Sequence, residues 1–114
     1  MLDGGHDDDV LRGGRGADKL FGRFGNDRLY GGNDDDELEG GRGDDRLDGG
    51  GGDDSLNGGY GRDRISGGGG DDTIRSVGGG SDVIDCGAGF DRVLKDRRDR
   101  ALDCERVNGR RPGR

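Results

Sequence analysis

Aliphatic residues recur along this chain at intervals of nine, with one interval of ten, and most of their immediate neighbours are polar or charged. Three residues that point outward, inward and outward form the smallest unit of a half-buried strand. Glycine and aspartate dominate the six residues between these units, and both favour turns. The pattern therefore predicts very short strands separated by turns, with these residues pointing inward: Leu11, Leu20, Leu29, Leu38, Leu47, Leu56, Ile65, Ile74, Ile84 and Val93.

Numbering each nine-residue unit from its first glycine places Gly at positions 1, 2 and 4, Asp at position 6 and the aliphatic residue at position 8. Eight units run without a break from Gly4, Ser76 is one extra residue, and two looser units start at Val77 and Cys86. Such a strict period indicates a solenoid built from repeats. All ten units carry the position-6 aspartate: Asp9, Asp18, Asp27, Asp36, Asp45, Asp54, Asp63, Asp72, Asp82 and Asp91.

The composition leaves little material for a hydrophobic core. Only 25% of the residues are hydrophobic, 30 of the 114 are glycine, and the formal net charge is −7. One aliphatic side chain per unit does not offset the entropy lost by ordering nine residues, so the chain is either disordered and acidic or folded by a bound cation. The strict spacing favours a cation. Turn carbonyls and carboxylates form an all-oxygen ligand set, which suits Ca²⁺ better than Mg²⁺ or a softer metal.

The repeat Gly-Gly-x-Gly-x-Asp-x-aliphatic-x resembles the RTX family of hemolysin-type calcium-binding repeats. This resemblance implies an all-β, right-handed parallel β-roll, or β-solenoid, with two nonapeptides in each coil. It also implies that the position-6 aspartates listed above bind Ca²⁺ between turns two repeats apart, so that Asp9 pairs with Asp27 and Asp18 with Asp36. Ten turns then hold at most eight ions. Asp7 and Asp34 replace Gly at position 4, and aspartate tolerates the left-handed backbone such a turn requires.

The last part of the chain departs from the repeat. Leu102 follows Val93 by nine residues, but Arg100 stands where position 6 would have its aspartate. We therefore predict a calcium-binding β-roll over residues 1–94 and a calcium-free cap and tail over residues 95–114. Cys86 and Cys104 lie 18 residues apart, one full coil, and stacked coils about 4.8 Å apart suit a disulfide. A disulfide indicates an oxidising, extracellular setting.

The sequence favours a structural module over an enzyme. It has one histidine, no zinc-protease motif, no apolar run long enough to span a membrane, and an acidic net charge that disfavours nucleic acid as a partner. The first hypothesis is a calcium-folded module that supports neighbouring domains of a larger secreted protein. The alternative is a calcium-dependent binding module for an acidic polysaccharide or surface glycan. Its contact surface would be a ladder of Arg28, Arg46 and Arg64, which occupy position 7 of alternate repeats. An anionic partner is expected because eight bound ions would change the net charge from −7 to +9.

Overall fold

The structure is a computed structural model that describes residues 2–76, 82–87, 92–95, 100–102 and 106–107. The described residues form short β-strands and no helix, and therefore no helix that is long and apolar enough to cross a membrane. The strands are β1 (Leu2–Asp3), β2 (Val10–Arg12), β3 (Lys19–Phe21), β4 (Arg28–Tyr30), β5 (Glu37–Glu39), β6 (Arg46–Asp48), β7 (Ser55–Asn57), β8 (Arg64–Ser66), β9 (Thr73–Ser76), β10 (Val83–Asp85), β11 (Arg92–Lys95), β12 (Arg100–Leu102) and β13 (Arg106–Val107).

Successive strands alternate between two parallel sheets. The odd sheet contains β1, β3, β5, β7, β9, β11 and β13, and the even sheet contains β2, β4, β6, β8, β10 and β12. Each strand pairs in parallel with the strand two places further along the chain, which aligns Leu20 with Leu38 and Leu29 with Leu47. This 18-residue register gives each coil two nonapeptides. The predicted parallel β-roll is confirmed.

The position-8 side chains form the core between the two sheets. From Leu20 to Val93 each of them is at most 2% exposed, whereas the neighbouring position-7 residues of β3 to β10 are exposed. The sheets can pack on a single aliphatic residue per strand because the parallel register stacks these residues into two continuous columns. The two columns contain Leu11, Leu29, Leu47 and Ile65 in the even sheet, and Leu20, Leu38, Leu56 and Ile74 in the odd sheet.

The extra residue, Ser76, lengthens β9 without disturbing the register of the coils. Ser76 is fully buried and pairs with Lys95, so β9 has four residues instead of three. The register across this coil is 19 residues, which aligns Ile65 with Ile84. The insertion thus lies in a strand, where one more residue extends the parallel pairing.

At the C-terminal end, the expected position-8 role of Leu102 is wrong. Ile84 pairs with Ala101, so Leu102 pairs with Asp85 and Arg100 pairs with Val83, a position-7 residue. The segment Asp96-Arg97-Arg98-Asp99 has none of the glycines that build the other turns, and the spacing from Val93 to Ala101 is eight residues. The register therefore shifts by one. The boundary between calcium-binding roll and cap stays a prediction.

Cys86 is fully buried beside the core, and no free cysteine occurs in the described part of the chain. Its predicted partner, Cys104, lies outside the described residues, as does Asp91. The disulfide and the role of Asp91 therefore stay predictions.

Candidate metal sites between stacked turns

The turns stack so closely that backbone atoms of successive coils are in contact. A side chain on Gly50, which has a φ of 78°, would overlap the carbonyl oxygen of Gly32 one coil earlier. Among the described residues, three that are not glycine adopt the same left-handed backbone: Asp7 (75°), Arg23 (72°) and Asp34 (71°). The expectation that aspartate tolerates position 4 is confirmed. Asp34 also accepts a 2.8 Å hydrogen bond from the Gly16 backbone N–H, which links two turns.

The position-6 aspartates form two columns, one on each side of the roll. Within a column, the backbone N–H of one aspartate donates to Oδ1 of the aspartate in the next coil, as Asp27 does to Asp45 at 2.8 Å. The extra residue does not interrupt this contact, because Asp63 donates to Asp82 at 2.6 Å. The columns are Asp9, Asp27, Asp45, Asp63 and Asp82, and Asp18, Asp36, Asp54 and Asp72.

The other carboxylate oxygen, Oδ2, is buried in these columns. It accepts no hydrogen bond in Asp9, Asp18, Asp27, Asp36, Asp45, Asp54 and Asp63. A buried anionic oxygen with no partner is costly, and such groups normally pair with a cation or bind a metal. The repetition of this feature from coil to coil indicates a row of cation sites.

In most of these units a backbone carbonyl oxygen faces the same space as Oδ2. An ideal Cβ on Gly40 would lie 2.6 Å from Asp45 Oδ2 and 2.7 Å from the carbonyl oxygen of Gly58. Glycine at position 1 thus keeps open a small space lined by a carboxylate and a carbonyl from two coils. The same arrangement occurs at Gly13, Gly22, Gly31 and Gly49. These all-oxygen donors fit Ca²⁺.

Side chains alone do not form a metal cluster, because no group of three His, Cys, Asp or Glu able to hold an ion occurs in the described residues. A calcium site in this fold would therefore combine the position-6 carboxylates with turn carbonyls. The sequence predicted this type of ligand set. The structure brings the predicted aspartates from Asp9 to Asp82 into position between successive turns, and their role as ligands stays a prediction.

Burial makes five of the position-6 carboxylates harder to ionise, because it raises their pKa. It raises the pKa of Asp45 and Asp54 to about 7 and that of Asp63 to about 8. The same cause raises the pKa of Asp27 and Asp36 above the usual 3.8. The hydrogen bond from the preceding aspartate lowers each pKa and the nearby carboxylates raise it, but desolvation is the larger effect. A bound divalent cation would remove this penalty.

The raised pKa values predict how the metal-free chain responds to pH. The folded form binds protons more tightly than the unfolded form, so its stability falls as pH rises from about 4 through the folded pKa values near 7 and 8. Metal-stripped protein should show more β-structure by circular dichroism at pH 4 than at pH 8. A signal that is unchanged, or stronger at pH 8, would show that these carboxylates carry no such penalty.

Position 5 carries a second ladder that the sequence did not predict. The backbone N–H of Asn26 donates to Asp8, that of Asp44 to Asn26, and that of Arg62 to Asp44, at 2.7–2.8 Å. Asp35, Asp53 and Asp71 form the matching series on the other side of the roll. The residue type at position 5 varies, as Ala17, Asn26 and Arg62 show. The frequent Asp and Asn there were the available signal, because these side chains bond readily to backbone N–H groups.

Comparison with known proteins agrees with this geometry. The model of the RTX calcium-binding nonapeptide repeat matches the chain four times, at residues 3–38, 30–59, 39–74 and 58–93. Searches of curated proteins and of solved structures gave no significant match. The four matches together run from residue 3 to residue 93, through the part of the chain that contains both columns of position-6 aspartates. The chain belongs to the RTX calcium-binding nonapeptide repeat family.

Proposed function

We propose that this chain is a calcium-folded module that acts as a structural or stabilising part of a secreted protein, without catalytic activity of its own. The observation that carries the proposal is the pair of columns of buried aspartates whose Oδ2 atoms lack a hydrogen-bond partner from Asp9 to Asp63. Metal binding energy becomes folding energy when the site does not exist in the unfolded chain. Calcium would thus supply the stability that the narrow core lacks.

In this proposal the position-6 aspartates are the side-chain ligands, and at most eight ions lie between successive turns. Each ion would hold one coil against the next, because the carboxylate and the carbonyl that face one space come from different coils, as Asp45 and Gly58 do. Bound calcium would also neutralise carboxylates that lie in columns at one-coil spacing. Stability would then depend on contacts between nearest-neighbour coils, as in other solenoids.

An extracellular location follows from the same chemistry. A module that requires millimolar Ca²⁺ would fold only where calcium is abundant, and a disulfide between Cys86 and Cys104 would persist only in an oxidising compartment. Closing an 18-residue loop would contribute about 3 kcal/mol by the chain-entropy model. We propose that the module lies beside other domains of a larger secreted protein, and that those domains carry the activity of that protein.

The calcium concentration at the folding midpoint tests this proposal. We expect a midpoint of about 10⁻⁴–10⁻³ M, the range of extracellular calcium modules. Calcium titration followed by circular dichroism and by resistance to a nonspecific protease measures it. A midpoint of about 10⁻⁷–10⁻⁵ M, where intracellular sensors bind, would contradict the extracellular role because the module would then fold at intracellular calcium levels.

A further inference from the structure

The outer face of the even sheet carries an arginine ladder, defined as Arg28, Arg46 and Arg64. The three residues align directly, since Arg28 pairs with Arg46 and Arg46 with Arg64. All three are exposed, and the exposed residues Val10 and Val83 flank them in the row by pairing with Arg28 and Arg64. Neighbouring strands in a sheet lie about 4.8 Å apart, so the ladder presents three guanidinium groups at one-coil spacing.

None of these arginines forms an ion pair or a hydrogen bond through its side chain within the described part of the protein. The ion pairs in that part join Lys19 to Glu37 and Arg23 to Asp3. Like charges placed directly opposite each other in a sheet are destabilising. The guanidinium groups of the ladder are therefore not held by an ion pair within the described residues, which leaves their hydrogen-bond donors available to an anionic partner.

A groove of about 450 Å³ runs between the ladder and one column of position-6 aspartates. Arg62 joins the ladder in lining it, and Asp8 and Asp44 lie along the same groove. The groove spans several coils, so it suits a linear partner better than a compact one. An extended chain could follow the ladder along the axis of the roll.

Calcium would change the sign of the charge in this groove. Its lining contains five carboxylates, two from position 5 and three from position 6, against four guanidinium groups, which gives one net negative charge. One ion between Asp9 and Asp27 and another between Asp27 and Asp45 would change it to three net positive charges. This step rests on the proposed function, because the ions occupy the sites proposed above.

We propose that the groove beside the arginine ladder binds a linear acidic polysaccharide, and that it does so only when calcium fills the adjacent turns. Arginine binds carboxylate and sulfate groups through paired hydrogen bonds. Each strand of duplex DNA presents one phosphate per 3.4 Å of helix axis, which does not match the spacing of about 4.8 Å in the ladder. The groove also lacks an aromatic side chain among its lining residues, and single-stranded nucleic acid is usually held by stacking on such side chains.

The test compares two triple variants that carry the same change in net charge. The ladder variant is Arg28→Ser, Arg46→Ser and Arg64→Ser. The control variant is Arg15→Ser, Arg42→Ser and Arg75→Ser, whose three arginines are exposed and lie outside the groove. A short fluorescent oligogalacturonate, with binding followed by anisotropy in calcium and in chelator, is the probe. Circular dichroism in calcium checks that each variant folds.

We expect the parent and the control variant to bind the probe in calcium only. The ladder variant should bind about tenfold more weakly, because three exposed ion pairs are lost. Equal binding by the two triple variants, or displacement of the probe by single-stranded DNA at the same concentration, would overturn the proposal. If the parent gained no β-structure in calcium, the proposed folding role itself would have failed, and circular dichroism separates that result from loss of binding by a folded module.

Discussion

Replacing Asp45 with alanine is expected to remove two neighbouring calcium sites, those shared with Asp27 and with Asp63. The substitution deletes the Oδ1 that accepts the Asp27 N–H and an Oδ2 that has no hydrogen-bond partner. Losing even an outer-shell partner costs a metal site roughly 10–100-fold in affinity, so the loss here should be at least that large. Because each coil is stabilised by its neighbours, the substitution should also divide the folding transition into two phases.

Asp44→Ala is the matched control, since it removes a carboxylate one residue away that faces solvent. Asp44 accepts one exposed hydrogen bond from the Arg62 backbone N–H, at 2.8 Å. Its loss should cost about 1 kcal/mol and leave the number of bound ions unchanged. Isothermal titration with Ca²⁺ measures the stoichiometry of both variants. Equal stoichiometry and affinity in the two would refute the assignment of position 6 as the ligand.

Gly40→Ala should prevent folding at calcium concentrations that saturate the parent. The added methyl group would lie 2.6 Å from Asp45 Oδ2 and 2.7 Å from the Gly58 carbonyl oxygen, inside the space assigned to an ion. One of these atoms is backbone and the carboxylate is buried, so neither can move aside easily. The substitution leaves every predicted ligand in the chain. A loss of calcium binding would therefore result from the methyl group filling the site and not from a missing ligand.

Gly69→Ala provides the comparison at an exposed turn. A Cβ there meets nothing within 4 Å, and Gly69 does not adopt a left-handed backbone. This substitution should stabilise the folded module by about 0.4–1 kcal/mol through the unfolded state. Calcium titrations of both variants, followed by circular dichroism, give the result. A Gly40→Ala midpoint equal to that of the parent would show that the position-1 space holds no ion.

The nine-residue period predicted short strands, turns and a solenoid, and the resemblance to RTX repeats supplied the coil of two repeats. That coil aligns Asp27 with Asp45 and Leu29 with Leu47, as the structure does. The extra Ser76 preserves this alignment because it extends β9 to four residues, so that Ile65 still pairs with Ile84. The predicted position of Leu102 was wrong because the repeat ends before β12: the sequence there has no glycine, and Ala101, eight residues after Val93, takes the aligned position.

Two features of the site could not be predicted from the sequence. The position-5 ladder depends on how closely the turns stack, and a sequence that allows Asp44, Asn26 or Arg62 at that position does not reveal it. The different roles of the two oxygens of one carboxylate were also beyond sequence reasoning. Burial of Oδ2 and its effect on the pKa of Asp63 are consequences of packing between coils.

We expect calcium binding to supply the free energy that folds this chain, and hydrogen exchange with and without calcium measures this effect coil by coil. Amide exchange should be measured at pH 7 in excess chelator and in millimolar Ca²⁺. With calcium, the strand amides of β3 to β8 should be protected together, because neighbouring coils form one cooperative unit. Without it they should exchange at the rates of an unfolded chain. Protection of these amides in excess chelator that equals their protection in calcium would contradict the account.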